Sequence, residues 1–175
     1  LEYTCRDNGI GLAVLPGGGE ADPALQARST LAGEDVEILR CYLAEPGPEN
    51  VRNFLKFCGH LVGRGEAPPE ARALLKAGIY WPGLSSPSLG DIRTYWREGR
   101  PLAALTFYRA LIEGGNTAPV DALVAALAGQ GLNALPLYVT SLKDDVVAAT
   151  LARLFDEAAP SVILNATGFA VGSTN

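Results

Sequence analysis

The sequence predicts an α/β protein whose parallel sheet is covered by helices on both faces. Beyond Arg100, apolar segments alternate in the order strand, helix, strand, helix, strand. The strand segments are apolar almost without interruption, which is typical of parallel strands buried on both faces. With 48% hydrophobic residues among 175, the chain can bury a core. We therefore divide it into an N-terminal α/β segment (1–83), a connector (84–101) and a βαβαβ unit (102–175).

The N-terminal segment begins with a predicted strand and a predicted helix. Gly11–Leu15 is a short apolar run that ends at Pro16–Gly19, a pattern that predicts a strand entering a loop. Apolar residues then recur at helical spacing until Glu45–Pro48, where we expect the helix to end. These helical positions are Val36, Leu39 and Leu43.

A second helix is predicted after that turn, with Asn50 as its cap. Its expected apolar stripe consists of Val51, Phe54, Leu55, Cys58, Leu61 and Val62. Gly78–Trp81 is apolar and β-prone, so it predicts a short strand that Pro82 and Gly83 close as a turn. The stretch Leu84–Gly90, rich in Ser, Pro and Gly, begins the connector.

The βαβαβ unit is flavodoxin-like in its predicted order of elements. Its strands are expected at Leu102–Tyr108, Ala134–Val139 and Ser161–Leu164. Pro136 weakens the prediction for the first half of the middle strand, because proline cannot donate to a ladder. Two helices connect the strands, and crossovers of this kind are right-handed. Their apolar faces are Val120, Leu123, Val124 and Leu127 in the first helix and Val147, Leu151, Leu154 and Phe155 in the second.

Candidate ligand-binding residues lie just after each predicted strand, because open parallel sheets bind ligands at the carboxyl ends of their strands. The first such segment runs from Arg109 to Pro119, with Asn116 in its loop and Thr117 as the candidate helix cap. Free backbone N–H groups at that helix start could hold an anion such as a carboxylate. An ordinary βα loop explains the same residues, and the loop alone favours that simpler interpretation.

The other two segments offer different polar groups. Ser141 and Lys143 follow the second strand, and the ammonium could pair with a substrate carboxylate, although a solvated lysine is the simpler interpretation. Asn165 and Thr167 follow the third strand, where an ordinary turn also explains them. All three segments meet at one predicted sheet edge, which favours a shared pocket. The predicted substrate-binding residues are Arg109, Asn116, Thr117, Ser141, Lys143, Asn165 and Thr167.

Composition and motifs argue against several functions. The net charge of -5 comes from 19 acidic and 14 basic residues without a basic stripe, so we expect no nucleic-acid partner. No apolar run is long enough to span a bilayer and no signal-peptide pattern is present, so we expect no membrane partner and a cytoplasmic location. Gly17–Gly19 lacks the ending of a phosphate-binding P-loop. His60 is the single histidine, which argues against a His-dependent hydrolase or a closed metal site.

Longer runs of residues resemble one known family. In the C-terminal half these runs are Phe107–Arg109, Gly114–Leu123, Ser141–Asp144 and Leu164–Ala170. In the first half they are Leu12–Gly17, Pro48–Asn50, Phe54–Leu55, His60–Leu61 and Gly78–Gly83, in the same order. Together they are similar to the large subunit of aerobic cobaltochelatase, the CobN type, and more distantly to the large subunit of magnesium chelatase. The resemblance extends over nearly the whole chain.

The resemblance implies that the complete protein inserts cobalt into a corrin precursor, hydrogenobyrinic acid a,c-diamide, during cobalamin biosynthesis. It implies a metal–nitrogen ligase whose AAA+ partner subunits bind and hydrolyse ATP, in agreement with the missing P-loop. It further implies that this chain is an interior fragment, inactive alone, that binds no cofactor and whose catalytic residues are not identifiable. Two alternatives stay open: a magnesium chelatase subunit acting on protoporphyrin, and a scaffold that contacts other subunits but no substrate.

Overall fold

The computed structural model describes residues 1–17, 20–45 and 47–168. The predicted glycine-rich loop at Gly18 and Gly19, the predicted helix stop at Pro46 and the end of the predicted βαβαβ unit at Phe169–Asn175 lie outside the described residues. The chain divides into two compact units, Leu1–Leu74 and Leu75–Asn175. Within the described ranges, no helix is both long and apolar enough to cross a membrane.

The described part of the first unit is helical. Its core is formed by Leu39 and Tyr42 on one helix and Phe57 on the next, each at most 4% exposed. The predicted helix through Val36 and Leu39 is confirmed. The four helices are α1 (Glu2–Asp7), α2 (Pro23–Gln26), α3 (Gly33–Ala44) and α4 (Pro48–Leu61).

The predicted strand at Gly11–Leu15 is wrong, since the structure assigns no strand there. Its backbone bonds to hydroxyls instead of a neighbouring strand. The Leu12 N–H donates to Thr30 Oγ1 at 2.7 Å, and the Val14 N–H donates to Ser29 Oγ at 2.9 Å. These hydroxyls satisfy backbone donors that a sheet would otherwise pair. The apolar run therefore needs no sheet, and this unit is not α/β in its described part.

Helix α4 buries only part of the predicted stripe: Phe54, Cys58 and Leu61 pack against the core, whereas Val51, Leu55 and Val62 are exposed. Phe57 is 4% exposed, whereas Val51 and Leu55 are 49% and 64% exposed. Asn50 is not the cap, because the helix begins at Pro48. Its buried amide donates to the backbone oxygens of Glu45 and Arg72 at 2.9 and 2.8 Å and accepts from the Arg72 N–H at 3.1 Å. These bonds turn the Asn50 face inward and the adjacent Val51 outward.

The second unit is built on one four-stranded sheet in the order β1-β3-β2-β4. Strands β3 and β4 run parallel to β2, and β1 is antiparallel to β3. The parallel strands stand in the order β3-β2-β4, the 2-1-3 arrangement of flavodoxin-like sheets, which confirms the predicted fold class. The elements are β1 (Ala77–Ile79), α5 (Leu89–Arg93), β2 (Leu102–Tyr108), α6 (Ala110–Glu113), α7 (Ala118–Gly129), β3 (Asn133–Val139), α8 (Asp145–Ala158) and β4 (Val162–Asn165).

Strand β3 tolerates a fully buried proline because of where its neighbours end. Pro136 accepts a hydrogen bond from the Tyr80 N–H at 2.9 Å, so its backbone polar side faces β1. The missing N–H points to the same side, just beyond the end of β1 at Ile79. The parallel ladder to β2 loses nothing, and the strand continues through Pro136 as predicted.

Strand β1 joins this sheet by a close backbone approach. A Cβ at Gly78 would lie 2.5 Å from the hydroxyl oxygen of Tyr138, which is only 5% exposed. Glycine therefore lets β1 pair beside a buried tyrosine. The predicted N-terminal segment included this strand as far as Gly83, whereas the compact unit that holds it begins at Leu75.

Helices cover both faces of β2 and β3. On one face, Ile92 of α5 and Val147 of α8 are 0% exposed and pack in a cluster with Leu137 of β3. On the other face, Tyr80 contacts Phe107 edge to face and hydrogen-bonds to Asp121 of α7. The short helix α6 occupies part of the segment predicted as a loop. This packing leaves the carboxyl ends of the parallel strands open to polar residues.

Candidate functional site at the carboxyl edge of the sheet

The strand order predicts a ligand crevice between β2 and β4. The chain leaves β2 for β3 on one side and later reaches β4 on the other, so the order reverses here. Open α/β sheets bind ligands outside the carboxyl ends of the strands at such a switch point. Tyr108 is paired with Val139, and Thr106 with Asn165. The polar segments after all three parallel strands therefore start at the same edge, as predicted.

Asn165 is held at this crevice by its side-chain oxygen. Oδ1 accepts from Thr106 Oγ1 at 2.8 Å, from Thr167 Oγ1 at 2.7 Å and from the Thr167 N–H at 3.0 Å. A backbone N–H can only donate, so the oxygen must face Thr167 and the NH₂ group must face away. Thr106 and Thr167 are buried, whereas Asn165 is exposed. The side chain thus presents two oriented donors to an acceptor on a ligand.

Arg109 begins the segment after β2 and is partly neutralised. Its Nε lies 2.7 Å from Glu113 Oε1, and the two side chains are 25% and 20% exposed. Its N–H donates to the Val139 oxygen at 2.8 Å, and Nη1 lies 3.4 Å from the Leu75 oxygen. An anionic ligand would compete with the Glu113 carboxylate for the guanidinium. Arg109 thus links α6, β3 and the segment before β1 at the edge.

Thr117 stands at the start of α7 but makes no side-chain cap bond. Its side chain hydrogen-bonds to Tyr80, whose hydroxyl also donates to Asp121 Oδ1 at 2.6 Å. Burial and then the hydrogen bond to Asp121 raise the pKa of Tyr80, so the phenol keeps its proton. Asn116 is exposed after Gly115, which has a φ of 66°. No hydrogen bond of the Asn116 side chain occurs within the described residues.

The segment after β3 forms a capped helix start. Ser141 Oγ accepts from the Lys143 N–H at 3.2 Å, and the exposed Lys143 ammonium has no partner within residues 47–168. Asp144 caps α8 by accepting from the Val146 N–H at 2.9 Å, and it receives Lys76 Nζ at 2.8 Å. The hydrogen bond from Lys76 holds the pKa of Asp144 below its usual range. Lys143 is therefore the cation left for a ligand, while Lys76 is engaged.

The sequence missed three residues that shape this edge: Thr106, Tyr80 and Lys76. Thr106 had a usable signal, because it is the one aliphatic hydroxyl in a strand of otherwise apolar and aromatic residues. Tyr80 and Lys76 had none, since their partners Asp121 and Asp144 lie 41 and 68 residues away. Within the described residues, no hydrogen bond joins the side chain of Asn116 or Lys143 to Asn165, so their convergence on one ligand stays a prediction.

The chemistry of the edge is that of hydrogen-bond donation. The amide of Asn165, the ammonium of Lys143 and the guanidinium of Arg109 all suit carboxylate or amide oxygens. Among the described residues, no group of three or more His, Cys, Asp or Glu side chains lies close enough to hold a metal ion. The arrangement therefore fits recognition of a polar organic ligand better than metal coordination.

A cavity lies within the first unit and was not predicted. Its volume is about 1190 Å³, and Leu39, Phe54 and Leu61 are among the residues that line it. Ser29 and Thr30 also line it, but their hydroxyls already accept the Val14 and Leu12 N–H groups. The cavity therefore combines apolar side chains with hydroxyls that already bond the backbone.

Comparison with known proteins decides the family. The family model described as CobN/Magnesium Chelatase matches residues 40–175. The chain belongs to the CobN/magnesium chelatase family. This confirms the resemblance found in the sequence.

Individual family members agree over nearly the whole chain. It is 46% identical over 170 residues to the aerobic cobaltochelatase subunit CobN of Sinorhizobium sp., covering 93% of this chain. Against the CobN subunit of Pseudomonas aeruginosa the identity is 34% over 165 residues and 94% of this chain. The chain spans only 13% of the length of either relative.

A solved structure in the family also resembles this one. The catalytic subunit of cobaltochelatase from Mycobacterium tuberculosis matches with a TM-score of 0.65 and 29% identity. The match covers 86% of this chain and 12% of that subunit. The mixed α/β fold of this chain is therefore similar to part of that subunit.

Proposed function

We propose that this chain belongs to the tetrapyrrole-binding subunit of an ATP-dependent cobaltochelatase, which inserts cobalt into hydrogenobyrinic acid a,c-diamide in cobalamin biosynthesis. The observation that carries the proposal is the match to two CobN subunits over 93% and 94% of the chain. Cobalt is a substrate in this reaction, and ATP is hydrolysed by AAA+ partner subunits. The described residues offer no metal cluster, so their contribution is to the organic substrate.

The role we assign to the carboxyl edge is to bind polar groups on the periphery of the corrin. That substrate carries carboxylates and amides, as its name states. The two donors of Asn165 and the ammonium of Lys143 suit such oxygens. Arg109 contributes less, because Glu113 lies 2.7 Å from its Nε. Ser141 and Thr167 position their neighbours, and Asn116 and Thr117 border the site.

Two other functions are distinguishable from this one. A magnesium chelatase would act on protoporphyrin, and the family model includes both enzymes in its description. A scaffold would contact other subunits and no substrate. The CobN names of the similar proteins favour cobalt, and the oriented NH₂ group of Asn165 favours ligand contact over a plain scaffold.

Calorimetric titration of the full-length protein and of the 175-residue chain with the corrin precursor and with protoporphyrin tests the proposal. Calorimetry suits this site better than tryptophan fluorescence, because Trp96 is bonded to Ala134 at the opposite end of β3. We expect the full-length protein to prefer the corrin. A preference for protoporphyrin would identify a magnesium enzyme, and full-length binding that the chain lacks would favour the scaffold.

Lys143→Ala in the full-length protein tests the edge itself. Because exposed ion pairs contribute up to about 1 kcal/mol, we expect the affinity for the corrin to fall about two- to fivefold. Lys56→Ala is the matched control, since Lys56 is an exposed lysine of α4 in the first unit. Equal affinities for the two variants would remove Lys143 from the site.

A further inference from the structure

Strand β4 exposes apolar side chains on both of its faces. Val162, Ile163 and Leu164 are 41%, 51% and 37% exposed, whereas Ala103 and Ala104 of the adjacent strand β2 are 0% exposed. A parallel strand that is apolar at successive positions normally has helices over both of its faces. The composition of β4 is thus that of an interior strand, but its exposure is that of an edge.

The backbone of β4 is open in the same way. Within residues 47–168 its only strand partner is β2. Thr106 is paired with Asn165, and the Ala166 N–H donates to the Thr106 oxygen at 2.8 Å, whereas successive N–H groups of a strand point to opposite sides. The N–H groups of Ile163 and Asn165 therefore point away from β2. No charged residue or proline lies within β4 to block pairing, as natural edge strands usually require.

We propose that in the full-length protein another strand of the same polypeptide pairs with the outer edge of β4, so that β4 is an interior strand. The curated relatives extend far beyond this chain, which spans 13% of their length, so the additional strand is available in the same molecule. The described sheet ends at β4, so an added strand would extend the sheet on that side. The crossover helix that connects to the added strand would cover Ile163 or its neighbours. A second copy of the chain is the competing occupant.

Hydrogen exchange on the peptide Ser161–Ala166 tests this pairing. In the full-length protein we expect two more protected amides, those of Ile163 and Asn165, than in the 175-residue chain. Strand β2, paired on both edges, is the internal control and should be protected in both proteins. The same number of protected β4 amides in both proteins would overturn the proposal, as would protection in the short chain that rises with protein concentration, which would indicate a second copy.

Ile163→Lys separates the added strand from general instability. The side chain is already 51% exposed in this chain, so the thermal midpoint of the 175-residue variant should change by no more than about 1–2 °C. In the full-length protein the same variant should lose the additional amide protection. Val146→Lys is the matched control, because Val146 is 59% exposed on α8. If both variants leave full-length protection unchanged, no apolar layer covers β4.

Discussion

At the scale of single residues, Asn165 shows how a few donors fix the direction of one side chain. Three hydrogen bonds engage its oxygen, so only the NH₂ group is left to meet a ligand. Asn165→Asp keeps an oxygen for Thr106 and Thr167 but replaces the donors with a second acceptor. We expect at least a tenfold loss of affinity for a carboxylate-bearing corrin, because a charge-assisted bond is lost and a repulsion gained. Calorimetry on the full-length protein measures it.

The matched control for that substitution is Asn116→Asp, another exposed amide near the edge with no side-chain hydrogen bond in the described part. It should weaken binding less than Asn165→Asp. The thermal midpoint of Asn165→Asp should stay close to that of the native protein, since the three donors keep an acceptor. Unchanged affinity in a folded Asn165→Asp variant would show that the crevice does not hold the substrate carboxylates.

Single residues also show which parts of the candidate site can be predicted from the sequence and which cannot. Asn165 and Thr167 could be found because they directly follow an apolar strand, where parallel sheets bind ligands. The hydrogen bond from Thr106 that orients Asn165 joins residues 59 positions apart in the sequence. It depends on the pairing of β2 with β4, which the sequence of neither segment predicts. Thr117 was predicted to cap α7, yet its side chain bonds to Tyr80 instead. Such competition between partners is decided by tertiary structure.

At the scale of elements, helix α8 is tied to β1 through its cap. Asp144 accepts the first N–H groups of α8 and also the ammonium of Lys76, which precedes β1. Asp144→Asn retains the cap, because Asn and Asp are equally good at this position, and removes only the charge. Lys76 lowers the pKa of Asp144, so the ion pair stabilises the fold above the usual carboxyl pKa of about 3.9.

The expected consequence is a difference in stability that depends on pH. At neutral pH the Asp144→Asn variant should melt lower than the native chain by at most about 2–4 °C, as for other exposed pairs. The difference should shrink as the pH falls below about 4, because the native carboxylate then becomes protonated too. Thermal melts from pH 7 to pH 2.5 measure it. Asp145→Asn is the control, and an equal pH trend in both variants would contradict a specific bond to Lys76.

Elements differ in how well the sequence predicts them. Strand β2 has the bounds that were predicted, Leu102–Tyr108, because a short continuous apolar run between turns is typical of a buried strand. Gly11–Leu15 has a similar composition but no neighbouring strand, and the hydroxyls of Ser29 and Thr30 bond its backbone. The apolar pattern indicates burial in both cases. Only the partner decides whether a buried run becomes a strand.

At the scale of the whole molecule, the sheet needs residues that precede the predicted βαβαβ unit. Ala77 and Ile79 of β1, with Leu89 and Ile92 of α5, belong to the same core cluster as the strands β2 and β3. The predicted unit starts at residue 102 and omits all of them. The compact unit that starts at Leu75 contains them. The position of the domain boundary thus determines whether β3 keeps its antiparallel neighbour.

Two truncated chains distinguish these boundaries. We expect residues 75–175 to unfold cooperatively, because they contain all four described strands of the sheet and a core of their own. Residues 102–175 lose Ile79, Leu89 and Ile92, and burying each such side chain stabilises a fold by about 1.5–3 kcal/mol. That loss approaches the total stability of a typical domain, about 5–15 kcal/mol. Thermal unfolding followed by circular dichroism should therefore give a sharp transition for the longer chain and none for the shorter. Equal transitions would mean that β1 and α5 are dispensable and that the boundary belongs near residue 102.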